Sequence, residues 1–208
     1  AAADDDLFLR HAKLLRKSAV YSRTSGWPFR LGPLAGLAAV AGALLLTPLG
    51  AERAPLSFEG DIVLFAYLLG VSRFCTILAA LDTGSPFEGM GASREAWFSA
   101  LAEPVLLIGL AAVGRGAGTL SLSGMSGVWS HYPEGQWLVM ALSGAAVAAV
   151  FLTENSRIPV DDPNTHLELT MIHEVMVLDH GGPDLGLIEY ASALKLWVIG
   201  SVLVSFVN

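Results

Sequence analysis

Five long apolar runs, separated by polar connections, constrain this chain more than any other feature. About 20 mostly apolar residues are needed for a helix to cross the hydrocarbon core of a bilayer. Leu31–Leu49 ("LGPLAGLAAVAGALLLTPL") meets that length without a charge, and Asp61–Leu81 meets it with Arg73 in its middle. Ala96–Val113 is apolar except for Glu103 beside Pro104. Gln136–Thr153 is uncharged and rich in the small residues that let helices approach closely in lipid. Leu185–Val207 holds Glu189 and Lys195. The expected fold class is therefore an all-α integral membrane protein, a bundle of five transmembrane helices. The charged fraction, 15%, agrees, against about 25% in soluble domains.

Ahead of the first run, Leu7–Val20 ("LFLRHAKLLRKSAV") sets Leu7, Phe8, Leu14 and Leu15 at helical spacing, with Arg10, Lys13, Arg16 and Lys17 largely opposite. That pattern predicts an amphipathic helix lying in the interface plane. Residues 1–30 then form a cytoplasmic and interfacial segment, and 31–208 the bundle. Orientation follows from Lys and Arg in the connections. Arg10, Lys13, Arg16, Lys17, Arg23, Arg30, Arg94 and Arg157 fall on one side of five alternating spans, against Arg53 and Arg115 on the other. The N-terminus and the loop 154–184 are thus expected in the cytoplasm. The stretch "GMGASRE" lacks a phosphate-loop setting and reads as a tight cytoplasmic turn, with Ser93 as helix N-cap and Glu95 in the first turn.

A net charge of −7 argues against nucleic acid as a partner, since no basic stripe is present to neutralise phosphates. The single cysteine, Cys75, excludes a disulfide within the chain. It also excludes a thiolate-ligated zinc or iron–sulfur site built from this chain alone.

Charged groups inside spans cost about 2.5–3.5 kcal/mol each even on lenient scales, and they usually face protein or water. Arg73 lies roughly 18 Å along its span and Lys195 roughly 15 Å along its own; Glu103 and Glu189 are shallower. Each taken alone reads as a structural ion pair or a snorkelling side chain. Four in one chain form a candidate proton path, because carboxylates in low dielectric titrate upward and neighbouring cations pull them back.

The loop after the fourth span, "TENSRIPVDDPNTHLELTMIHE", adds Glu154, Asp161, Asp162, Glu168 and Glu174, followed by Asp179 and Asp184. Pro159 and Pro163 break any helix through its first part, and Thr165–Leu178 then reads as helix. Its mixture of acids with Ile158, Val160, Leu167 and Leu169 predicts burial beneath a partner rather than a solvated acidic loop. His166, His173 and His180 recur every seven residues, about 10.5 Å apart on a helix, which is too far to share one metal ion. Proton relay or hydrogen bonding to a partner suits them better.

These motifs resemble a known family: the membrane subunit of formate hydrogenlyase and related energy-converting hydrogenases (hydrogenase-4 component C type). That subunit is homologous to subunit 1 of NADH dehydrogenase, the quinone-site membrane subunit of respiratory complex I. Glu154, Arg157, Pro159, Asp161 and Pro163 fill the family's Glu-x-x-Arg-x-Pro-x-Asp-x-Pro pattern. Glu168, Glu174 and Glu189-Tyr190 match its later acids, and Arg94 with Glu103 its arginine and intramembrane glutamate. "LDTGSPFEGMGASRE" and the histidines His166 and His173 resemble the hydrogenase branch. Ala92 and Asp179 depart from the family's usual Ser and Glu.

The resemblance implies about eight spans, of which these five are the central bundle. It implies a proton path or coupling set of Glu103, Glu154, Glu168, Glu174, Asp179, Glu189, Lys195 and Arg73. It also implies a docking loop with Arg94, Arg157, Pro159, Asp161, Asp162, His166 and His173. The chain itself would carry no cofactor, metal or redox centre. Nickel–iron and iron–sulfur centres would sit in partners: hydrogenase large and small subunits and a ferredoxin-like subunit, alongside antiporter-like membrane subunits. The implied place is the prokaryotic plasma (inner) membrane, and the implied role is to couple electron transfer to proton translocation. Two alternatives are a quinone-binding subunit of a complex I-type dehydrogenase, in which the same loop lines a quinone cavity, and an ion transporter or antiporter subunit. A passive anchor fits the four in-span charges poorly.

Overall fold

The computed structural model of the protein describes residues 13–14, 16–19, 21–22, 25–50, 52–130, 137–156, 161 and 171–207. Five helices are long and apolar enough to cross a membrane: α1 (Trp27–Leu46), α2 (Asp61–Asp82), α3 (Pro86–Ala117), α4 (Trp137–Glu154) and, after the short α5 (His173–Met176), α6 (Pro183–Ser205). Each lies within a few residues of an expected span except α3. That helix starts ten residues earlier than Ala96, so "GMGASRE" is helix and not a turn. Its N-cap position is Ser85, and the Ser93 hydroxyl instead donates to the Met90 carbonyl at 2.8 Å. The physical reason is burial: Glu95 is buried against Arg73 of α2 and Glu88 against the turn at Asp179, so the polar residues that mimic a loop are the inner face of a span.

Of the expected interfacial helix Leu7–Val20, only residues 13–14 and 16–19 are described; Lys13, Leu14 and Arg16 are helical, Lys17, Ser18 and Ala19 are not, and the other positions lie outside the described residues. The helix expected over Thr165–Leu178 is shorter within the described part. Met171 and Ile172 are non-helical and α5 spans four residues. The remainder of that stretch lies outside the described residues.

Local chemistry sets the helix ends. Pro28, Pro86 and Pro183 open α1, α3 and α6 in the first turn, where no intrahelical N–H is lost. Gly118, at φ +72°, closes α3 with its N–H on the Gly114 carbonyl. The Thr47 hydroxyl folds back on the Ala43 carbonyl at 2.9 Å where α1 stops ahead of Pro48.

In lipid the tails are as apolar as leucine, so helix association rests on close packing. α1 runs along α2, with Gly32 against Ala79 and the Cys75 carbonyl. α3 meets α4 where Gly109 lies against Val147. Phe65, Leu69, Leu106, Leu110, Val198 and Phe206 fill the centre. At the end of the bundle away from the 154–184 loop, Leu122 and Met125 plug the space between helices. The buried Asp61 carboxylate holds that plug, accepting the Leu122 N–H at 2.7 Å and the Ser121 hydroxyl at 2.8 Å. Trp97, Ile108 and Leu142 point outward, the faces left for lipid or other subunits.

Candidate functional site

Four spans bring one charge each to a common buried point. Arg73 Nε of α2 lies 3.0 Å from Glu95 Oε1 of α3 and 3.1 Å from Glu154 Oε2, the last residue of α4. Lys195 Nζ of α6 lies 3.6 Å from the same Glu154 oxygen. Among the described residues the cluster contains two cations and two carboxylates, so it is balanced. The balance matters, because an uncompensated charge in the interior costs several kcal/mol. Side-chain exposures of 2% for Arg73, 8% for Glu95, 1% for Glu154 and 13% for Lys195 show how little water reaches it. Glu154 Oε2 is the shared atom, positioned to exchange one cation for the other. The two amino groups of Arg73 have no hydrogen-bond partner among the described residues. Charge, more than aligned hydrogen bonds, therefore holds this guanidinium.

From Glu95 a polar stripe continues along α3. Ser99 and Glu103 follow at four-residue steps, which places all three on one helix face. The Ser99 hydroxyl donates to Glu103 Oε1 at 3.0 Å. Glu103 lies against Gly70 of α2, where a β-carbon would come within 3.0 Å of Oε1. The stripe carries polar groups from the cluster roughly 12 Å along α3.

On the loop side, Lys195 lines a cavity of about 30 Å³ with Ser72, Thr76, Ser192 and His173 among its walls. That is room for about one water molecule, with enough polar partners to hold it. It is far below the 300 Å³ or more of typical small-molecule pockets. His173 belongs to α5, and burial together with the Lys195 charge pushes its pKa down to about 4, against an opposing pull from Asp161. The imidazole is therefore neutral at physiological pH, one nitrogen able to accept a proton.

Other expected site residues are placed differently. Asp161 Oδ2 accepts the N–H groups of Ile172 at 3.0 Å and His173 at 3.1 Å, so it caps α5 within the chain. Arg94 reaches the Met171 carbonyl at 3.5 Å. Glu174 and Asp179 are exposed and Glu189 is half-buried, with none drawn into the Arg73 cluster. Arg157, Pro159, Asp162, His166 and Glu168 lie outside the described residues. His180 turns away from His173 and stacks on Phe29 at 3.9 Å between ring centroids. Among the described residues no group of three or more His, Cys, Asp or Glu could hold a metal ion.

The sequence reading missed Glu95, which it placed at a helix start. The signal that finds it is the four-residue spacing to Ser99 and Glu103. Glu88 was missed as well; it is 1% exposed and its Oε1 accepts the Asp179 N–H at 3.1 Å.

Comparisons with known proteins agree with this architecture. The family model described as NADH dehydrogenase matches residues 7–207. Formate hydrogenlyase subunit 4 of Escherichia coli (strain K12) is 32% identical over 187 residues, which cover 90% of this chain and 60% of that protein. Hydrogenase-4 component C of the same organism is 31% identical over 194 residues, 93% of this chain and 60% of that one. The chain thus spans about three fifths of the length of these curated relatives. Among solved structures, a chain of the membrane-bound sulfane sulfur reductase, an archaeal respiratory membrane complex, superposes with a TM-score of 0.76 at 22% identity. The match covers 93% of this chain and 63% of that one. The homology expected from the motifs around Glu154 is therefore present.

Proposed function

This chain belongs to the NADH dehydrogenase family, and from that premise we propose that it is the proton-coupling membrane subunit of a hydrogenase-type respiratory complex. In this reading it docks a soluble redox arm on its cytoplasmic side. It carries no redox centre; nickel–iron and iron–sulfur centres belong to partner subunits, among them hydrogenase large and small subunits and a ferredoxin-like one. Antiporter-like membrane subunits would flank it in the prokaryotic inner membrane. The five spans are the central part of a bundle of about eight, and Leu7–Val20 lies in the interface.

One observation carries the mechanism: the Glu154 carboxylate bridges Arg73 and Lys195 at a buried point where four spans converge. A proton arriving on Glu154 neutralises it and loosens both cations, and Arg73 then leans on Glu95. Lys195 gives a proton to Glu154 and is reprotonated across the cavity through His173, which takes up a proton on its free nitrogen, while Glu95, Ser99 and Glu103 extend the path into the membrane. Glu168, Glu174 and Asp179 of the cytoplasmic loop, with Glu189 of α6, would supply it. Arg94, Arg157, Pro159, Asp161, Asp162 and His166 shape the docking floor. The water-sized cavity favours proton transfer over quinone binding at this point.

The test is Glu154→Gln, and separately Glu103→Gln, in the assembled complex within inverted membrane vesicles. Both should leave the redox arm bound while proton translocation per electron collapses. An unchanged ratio in both variants refutes the path.

A further inference from the structure

Glu88 is the third residue of α3 and one of the best buried side chains in the protein, at 1% exposure. No ion pair to it is found among the described residues. Its Oε1 accepts the Asp179 N–H at 3.1 Å, and its Oε2 is buried without a hydrogen-bond partner among the described residues. Burying a carboxylate for one backbone hydrogen bond and the nearby Thr83 hydroxyl is a poor source of stability, since desolvation of the charge outweighs them. The position of what it holds offers a better reason.

Asp179 ends the turn that follows α5. One helical turn beyond Glu88, Gly91 lets that segment lie flat on α3: a β-carbon there would meet Met176 Cγ at 3.0 Å and the Ile172 carbonyl at 3.1 Å. At its beginning the same segment is tied by Asp161 to the Ile172 and His173 amides. The stretch from Ile172 to Asp179 is thus pinned at both ends, with His173 at the first pin and lining the Lys195 cavity.

We propose that Glu88 is a positioning residue: by holding the Asp179 amide it clamps the α5 segment onto α3 and keeps His173 at the cavity where protons pass to Lys195. This rests on the coupling role proposed above for His173. Transfer across a water-sized gap is steep in distance, and a displacement of about 1 Å costs up to roughly a hundredfold in rate.

The test is a double-mutant cycle in the purified complex reconstituted into liposomes, with proton movement per electron read by a pH-sensitive dye. Glu88→Ala should lower coupled proton transfer roughly tenfold or more. Glu88→Gln, which keeps an oxygen acceptor, should recover most of it. In a His173→Ala background Glu88→Ala should add nothing further. Glu88→Asp, whose oxygens are drawn back from the amide, enters the same cycle if Glu88→Ala does not assemble. A normal rate in Glu88→Ala beside an impaired His173→Ala overturns the Glu88 role and leaves the relay standing. Multiplying losses in the double variant reduce Glu88 to a structural contact and also overturn it. An unimpaired His173→Ala removes the relay and the clamp together.

Discussion

Replacing Arg73 with methionine should destabilise the bundle far more than its single positive charge suggests, and a second substitution should undo most of the damage. The Arg73 guanidinium lies 3.0 Å from Glu95 and 3.1 Å from Glu154, with all three side chains at most 8% exposed. Without it Glu154 still has Lys195 at 3.6 Å, whereas among the described residues Glu95 keeps no cation within ion-pair distance, only the more distant charge of Lys195. Breaking a buried pair by removing one partner costs about 3–5 kcal/mol, chiefly because the survivor stays charged and dry. At about 2–4 °C per kcal/mol for a chain of this size, the melting temperature should fall by roughly 6–20 °C. Glu95→Gln in the Arg73→Met background removes the orphaned charge and should return at least about 2 kcal/mol, within the range of couplings between contacting residues. Glu95→Gln alone should itself cost up to about 3–5 kcal/mol, because two buried cations then share the single Glu154 carboxylate. Thermal unfolding of the four proteins in detergent measures the cycle. Additive losses, with the double variant no more stable than Arg73→Met, refute the balanced-cluster argument.

Two further outcomes follow from other parts of the fold. Asp61→Ala leaves the Leu122 amide and the Ser121 hydroxyl without their buried acceptor, at about 1–3 kcal/mol per group. Proteolysis of the 118–127 connection in sealed vesicles should accelerate, and unchanged cleavage would contradict the plug. His173 titrates near 4 in the fold because of burial and the Lys195 charge, against an ordinary value of 6.5. The unfolded chain therefore takes up its proton first as pH falls, so stability is fully present above about 6.5 and declines toward 4. That difference caps the effect at about 3 kcal/mol. Melting temperatures between pH 7.5 and 4.5 should fall less steeply in His173→Gln, and equal slopes would exclude this residue as the cause.

The spans were legible because lipid imposes a length and a hydropathy that few other constraints imitate. Arg73 and Lys195 were legible as well, each a lone charge among apolar neighbours, though nothing in the sequence says that both meet Glu154. The acidic loop was harder. Asp161 suits a docking surface and a helix cap equally, and only the positions of the Ile172 and His173 amides decide for the cap. His180 recurs in phase with His173 yet stacks on Phe29, because the chain leaves the helix at Met176 and the seven-residue repeat loses its geometric meaning.

The start of α3 failed to read as a span for a reason that bears on function. A hydropathy scan assumes that polar residues mark an exit from the membrane helix. In α3 the buried face carries Glu88, Gly91, Ala92, Glu95 and Ser99, and Glu103 follows on the same side, while Trp97, Leu101 and Ile108 are 73%, 62% and 69% exposed. The first four turns are therefore inside out relative to a soluble helix, with charge inward and bulk outward. The face becomes apolar only beyond Glu103, where Leu106, Leu110 and Val113 join the core. A helix whose inner face was selected for packing alone would be apolar or small throughout. Packing alone does not account for three carboxylates along half of one face, which runs from Glu88 at the Asp179 amide past the Arg73 cluster to Glu103 beside Gly70. Had periodicity been sought for polar residues as well as apolar ones, the four-residue steps from Glu95 to Glu103 would have identified it from sequence.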